Sequence, residues 1–253
     1  LEDYGYDQLP DVPYERRKLQ YEDVFPVLYL KYRLLGKSSQ KEIKHLVIDE
    51  MQDYSYMQYV ILENLFQCRM TILGDYAQTL DTKQQDVLRF LPKIFGRGIR
   101  KVILNKSYRN TYEIAQYAAQ ISGITGLELL ERHGRQVDVR RFATEDEMLA
   151  AIASNVNLGT DGYETGAVIT MTEEEAYDIY RLLIKRGVDA AYVDRDSSAF
   201  KRGLTVTTFY LAKGLEFDQV FTIRGTKENP LAEQAEYISA TRALQELYVY
   251  GAE

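Results

Sequence analysis

The chain has 253 residues, 45% hydrophobic and 12% aromatic, enough apolar material for one large or two ordinary globular domains. Its 31 Lys and Arg against 38 Asp and Glu leave a net charge of -7, so no nucleic-acid footprint covers the chain as a whole, although a local basic groove is compatible with it. One cysteine, Cys68, excludes an internal disulfide framework or thiolate metal site; His45 and His133 lack metal-ligand spacing, and no apolar run reaches membrane length. A reducing cytoplasm is the expected compartment, with no membrane partner.

In chain order, the opening "LEDYGYDQLPDVPYERRK" is polar, Tyr-rich and aperiodic, lacks an initiator Met, and reads as the middle of a longer protein. Apolar residues three and four apart predict helices around 21–35, 56–67, 84–95, 111–122, 145–157, 173–186 and 231–243. Between them fall the β-rich runs "HLVID", "MTILG", "KVILN", "VDVRRF", "GAVIT", "AAYV", "LTVTTF", "QVFTI" and "LYVYG". This alternation predicts an α/β fold of parallel sheets with helices on both faces. Two glycines and a basic cluster in "FGRGIRK", Phe95 to Lys101, mark the expected boundary between 1–96, with two strands, and 97–253, with about seven.

The stretch "HLVIDEMQDYS", His45 to Ser55, runs from an apolar strand straight into Asp49, Glu50, Gln52 and Asp53. Ligands of α/β sheets sit beyond the carboxyl ends of strands, so these acids face a site or simply end the strand in a turn. Asp49 stands where a Mg²⁺-coordinating acid of a nucleotide-hydrolysing site belongs, with Glu50 beside it to orient or deprotonate water. "MTILGDYAQTLD" ends likewise on Gly74, Asp75 and Gln78, and the Gln78 amide is either a sensor of a terminal phosphate or a surface turn group.

"GKS", Gly36 to Ser38, imitates the end of a phosphate-binding loop, but Lys31 occupies the position of the first Gly and a helical pattern precedes it. No other candidate loop exists in the chain. Tyr108 and Arg109 in "LNKSYRNT" pair an aromatic face for a nucleobase with a guanidinium for a phosphate; the alternative is a ring packed under a helix start. Lys213, Gly214 and Glu216 in "TTFYLAKGLEFDQVF" occupy an expected tight bend between strands. Arg242 follows Thr241 on a helix leading into the last strand, a place where a lone Arg is ordinarily solvated or ion-paired.

Together and in order, "VIDEMQD" (Val47 to Asp53), "GDYAQ", "SYRNT", "AKGLEFD" and "YISATRA" resemble motifs II to VI of superfamily 1 helicases of the UvrD/Rep type. "YEDVFPVLYLKYRL" before motif II, and the short gap from Asn110 to Thr207, resemble the HelD-like, helicase IV-like branch, whose members associate with RNA polymerase. Two positions depart from the family pattern: Tyr210 stands where His is common, and Met51 where Ala is usual, a change expected to affect packing more than chemistry.

The resemblance implies RecA-like lobes of P-loop NTPase type, the first partial (1–96, motifs II and III) and the second complete (97–253, motifs IV to VI). It implies ATP and Mg²⁺ as cofactors, with Asp49 on the metal, Glu50 on water, and Gln78 reporting the γ-phosphate. Tyr108 would stack on adenine, Arg109 and Arg242 would bind the γ-phosphate, and Gly214 and Glu216 would lie near the terminal phosphate and ribose. Closing and opening of a cleft between the lobes would step the protein along single-stranded DNA. The alternative is an ATPase that remodels a complex containing RNA polymerase. The phosphate-binding loop would then lie in a missing N-terminal part of the same chain, and the 253 residues alone are expected not to hydrolyse ATP.

Overall fold

The computed structural model describes residues 13, 16, 18–36, 40–79, 87–96, 98–197, 202–225 and 229–252. Lys37 and Ser38 of the "GKS" triplet lie outside them, as do the opening residues 1–12 and residues 84–86 of the third predicted helix. Two compact units are formed: one from Leu1–Tyr76 with Lys83–Lys101, the other from Ala77–Thr82 with Val102–Glu253. No helix among the described residues is long and apolar enough to cross a membrane.

The first unit is built on two parallel strands, β1 (His45–Ile48) and β2 (Arg69–Ile72), aligned from His45 opposite Arg69 to Ile48 opposite Ile72. Helices α1 (Tyr21–Leu35), α2 (Tyr56–Leu65) and α3 (Val87–Phe95) complete it. A capping box starts α2: the Ser55 hydroxyl accepts from Gln58 N at 3.3 Å, and the Gln58 side chain accepts from Ser55 N at 2.6 Å. Gly36, at φ 87°, ends α1, so the "GKS" triplet does follow a helix. The core gathers Ile48, Tyr59, Val87 and Leu91, with the Tyr59 hydroxyl donating to Met51 O at 2.9 Å. Burial pushes that phenol up, and the neighbouring Tyr54 and Asp53 add to the effect.

The second unit carries a six-stranded, wholly parallel sheet in the order β5 (Asp138–Phe142), β10 (Ala243–Ala252), β9 (Phe217–Arg224), β6 (Thr165–Thr170), β8 (Gly203–Thr208), β7 (Ala190–Tyr192). Strict alternation along the strands sends side chains to two cores. Ala167, Ile169, Val220, Leu247 and Val249 pack against α4 (Tyr112–Ser122), the short α7 (Phe209–Ala212) and α8 (Ala232–Thr241). Val168, Val206, Phe221, Tyr248 and Tyr250 pack instead against α5 (Glu145–Asn155) and α6 (Glu173–Lys185). The predicted α/β class, parallel with helices on both faces, is therefore the observed one.

An ion-paired strut joins α4, β9 and α8 within this unit. Arg224 donates to both oxygens of Glu236, at 2.7 and 2.8 Å, and Tyr117 OH donates to Glu236 Oε1 at 2.5 Å. Burial raises the Glu236 pKa, but the bonds from Arg224 and Tyr117 overcome it and leave the carboxyl below its ordinary value.

Two predicted elements differ. "KVILN" is not a strand: Lys101–Asn105 has no ladder partner, and Val102, Ile103 and Leu104 are exposed. Only Lys106–Ser107 (β3) pairs, with Glu128–Leu129 (β4), because β character in a side chain becomes a strand only where a neighbour supplies the hydrogen bonds. The bend expected between "LTVTTF" and "QVFTI" contains the helical turn α7, and the two strands it links are separated by β6.

Candidate functional site

In the first unit, the polar cluster stands beyond the carboxyl ends of β1 and β2. Asp49 is exposed, and its Oδ1 accepts from Glu50 N at 2.8 Å. Glu50 adopts φ 52°, ψ 49°, the only left-handed non-glycine among the described residues. Such a conformation costs about 1–3 kcal/mol and persists where neighbours enforce it. Met51 N donates to Leu73 O and Leu73 N to Ile48 O, both at 2.8 Å, so the chain is pinned on either side of Glu50.

Gln52 and Gly74 were not among the residues predicted for the site. Gln52 is buried; its Nε2 donates to Glu50 Oε2 at 2.5 Å and its Oε1 accepts from Asp75 N at 3.1 Å. A Cβ on Gly74 would lie 2.5 Å from Gln52 Oε1 and 2.7 Å from Met51 N, so only glycine allows this approach. The glycine in "LGD" is the sequence signal for that contact; Gln52 stands in the "VIDEMQD" stretch, but nothing there shows that it contacts Glu50.

In the second unit, Arg109 and Glu216 form an ion pair at 2.7 Å, both about half-exposed. Glu216 immediately precedes β9 and Arg242 immediately precedes β10. Asn110 Nδ2 donates to Ala243 O at 2.6 Å, which brings the loop carrying Arg109 to the same amino edge of the sheet. Tyr108 is exposed, with Lys106 Nζ 5.8 Å above its ring, so the face expected to stack on a base is not packed under the helix. Gly214 has φ 82°, a left-handed turn that glycine adopts without strain.

Arg242 is neither solvated nor at the surface. It is 1% exposed, and its guanidinium donates to Ile238 O, Leu215 O, Thr241 Oγ1 and Gln78 Oε1 at 2.8 to 3.3 Å. Gln78, grouped with this unit, is buried, and its carbonyl accepts from Lys213 Nζ at 2.7 Å. The structure thus brings Gln78, Lys213 and Arg242 together, and Arg109 with Glu216. Tyr210 donates its hydroxyl to Glu173 at 2.8 Å.

A strap formed by residues 132–134 fixes the Arg109 loop. Arg132 donates to the carbonyls of Arg109 and Leu244, and its own carbonyl accepts from Tyr112 N at 2.8 Å. Glu113, buried, accepts from Gly134 N at 2.8 Å and pairs with His133 Nδ1 at 2.9 Å. Those bonds, the Gly134 amide foremost, hold its carboxyl below the ordinary 4.5. A depressed carboxyl contributes stability above its unfolded pKa and loses it as pH falls through the folded value. Glu113→Gln is therefore expected to lower the melting temperature at neutral pH, and the gap from wild type to close below pH 4.5; a gap that persists unchanged into acid would remove Glu113 from this role.

A cavity of about 270 Å³ lies away from these groups, at the carboxyl ends of β6 and β9, lined by Thr170, Met171, Thr222, Arg224, Glu236 and Ser239 among others. No group of three or more His, Cys, Asp or Glu among the described residues could hold a metal alone. The first unit's donor set, the exposed Asp49 carboxylate, suits an ion that arrives largely ligated by phosphate oxygens, as Mg²⁺ does.

Residues 16–80 match the family model described as the UvrD/REP helicase N-terminal domain. No curated protein matches the chain. Among solved structures, the chain is similar to the C-terminal domain of a possible DNA helicase from Lactobacillus plantarum WCFS1, at 24% identity over 58% of this chain and 88% of that one, TM-score 0.44. It is also similar to arterivirus nonstructural protein 10 (helicase), at 16% identity and TM-score 0.47, and to the same helicase in complex with DNA, at 17% and 0.48. Those overlaps take in 86% of this chain but 40% and 41% of the viral ones, so the chain spans about two-fifths of their length.

Proposed function

We propose that this chain belongs to an ATP-dependent superfamily 1 DNA helicase or translocase, in which ATP hydrolysis drives movement on single-stranded DNA. One observation carries the reading: Asp49 and Glu50 stand just beyond the carboxyl end of a parallel strand, inside the segment that matches the UvrD/REP helicase N-terminal domain. Asp49 would hold Mg²⁺, which would supply charge neutralisation for the phosphates. Glu50 orients the attacking water and takes its proton. Arg109 and Arg242 are the cations the second unit offers to phosphate, Tyr108 offers its ring to adenine, and Gln78 reports the terminal phosphate. Gly214 and Glu216 serve the terminal phosphate and ribose.

The acidic balance of 38 against 31 supports a second reading, a HelD-like ATPase that remodels an RNA polymerase complex. Strand binding separates the two. A motor is expected to bind single-stranded DNA with affinity falling by roughly 10²–10⁴ between 50 and 200 mM salt if it neutralises six to ten phosphates. Co-purification of the full-length protein with RNA polymerase, without salt-dependent strand binding, would exclude the motor.

A further inference from the structure

We infer that Gln52 is a positioning residue for Glu50, its buried amide spanning the ends of β1 and β2 so that the Glu50 carboxylate is held in one orientation. The inference rests on the reading of Glu50 as the group that activates water. Three features of the structure converge on it.

The first is the bonding of the amide itself. Gln52 is 7% exposed, and it donates to Glu50 Oε2 at 2.5 Å while accepting from Asp75 N at 3.1 Å. Among uncharged side chains an amide can do both at once; Leu of similar size could do neither, and an ionised Glu could only accept. The second is the backbone. Glu50 sits in the left-handed region, and residues on both sides of it are tied to Leu73, so its Cα direction is set by the two strand ends. A carboxylate on a fixed Cα still has three side-chain torsions, and the bond from Gln52 removes that freedom before substrate arrives. The third is the contact with Gly74. The close approach that its missing Cβ allows brings the backbone of β2's end against Gln52 Oε1 and the Met51 amide, so the amide has no room to swing away. Gln52 acts on the reaction only through Glu50.

The test uses steady-state ATP hydrolysis by the full-length protein, with Gln52→Leu, Gln52→Glu and Glu50→Gln, each first checked for wild-type circular dichroism. Gln52→Leu is expected to lower kcat about 10- to 100-fold with KM for ATP changed less than about threefold, the signature of a misplaced reacting group. Gln52→Glu keeps an acceptor for Asp75 N but loses the donor to Glu50, and is expected to lower kcat about as far as Gln52→Leu. In the chain itself, Glu50→Ala is expected to move the Gln52 side-chain amide resonances in ¹H–¹⁵N spectra, a readout independent of turnover. If Glu50→Gln abolishes hydrolysis while both Gln52 variants keep kcat within twofold, the positioning role is wrong and the function stands. If Glu50→Gln hydrolyses ATP normally, the base assignment fails first. A loss of melting temperature in Gln52→Leu with kcat unaltered would make Gln52 structural only.

Discussion

Replacing Glu50 by Gln is expected to lower ATP turnover of the protein by about 10²- to 10⁴-fold, the usual contribution of a positioned general base. The substitution keeps the shape of the side chain and removes its basicity, so nucleotide affinity is expected to stay within a few-fold. The backbone cost of the left-handed conformation is the same for Gln as for Glu, and the folded population should not change. Stopped-flow and steady-state hydrolysis measure the effect directly. Turnover above about a tenth of wild type would take Glu50 out of the base role and leave Asp53 and Asp75 as the neighbouring carboxylates to test.

Arg242→Met is expected to destabilise the second unit by about 2–4 kcal/mol, read from the urea unfolding midpoint. Its guanidinium is buried, the residue being 1% exposed, and it donates to the backbone carbonyls of Ile238 and Leu215 as well as to Thr241 and Gln78. Truncation removes one donor from each of these acceptors, although Ile238 O keeps the Thr241 hydroxyl at 2.8 Å, and a hydrogen bond lost from a charged donor costs about 1.5–3 kcal/mol. Arg242→Lys keeps the charge but not the planar fork, and an intermediate loss is expected. A loss below about 1 kcal/mol would mean that the site relaxes or admits water. The same geometry bears on the proposed role in catalysis. On that proposed role, phosphate oxygens would compete with Gln78 Oε1 for the guanidinium, and Arg242→Met should reduce ATP turnover as well as stability.

The fold class was legible because alternation of strand and helix patterns is a local property. Runs such as "GAVIT" and "QVFTI" are apolar on both faces, as strands of a buried parallel sheet must be, and they became β6 and β9. "KVILN" has a similar apolar centre and did not form a strand, since no strand among the described residues pairs with it. The positions of Asp49 and Glu50 were legible for a related reason: a strand that ends abruptly on acids must turn out of the core there. Their positioning partner was not. Gln52 is one polar residue among several in "DEMQD", and its importance arises from residues more than twenty positions away, Gly74 and Asp75.

The sequence by itself determined the strand and helix periods, the acids at the end of β1, and the glycines able to turn. These follow from side-chain chemistry and spacing along a few residues. Tertiary structure alone decided that Glu50 is left-handed, that Arg109 pairs with Glu216, and that Arg242 is buried with Gln78. Those outcomes depend on which distant backbone comes within about 3 Å, and hydrogen bonds are made at that range or not at all.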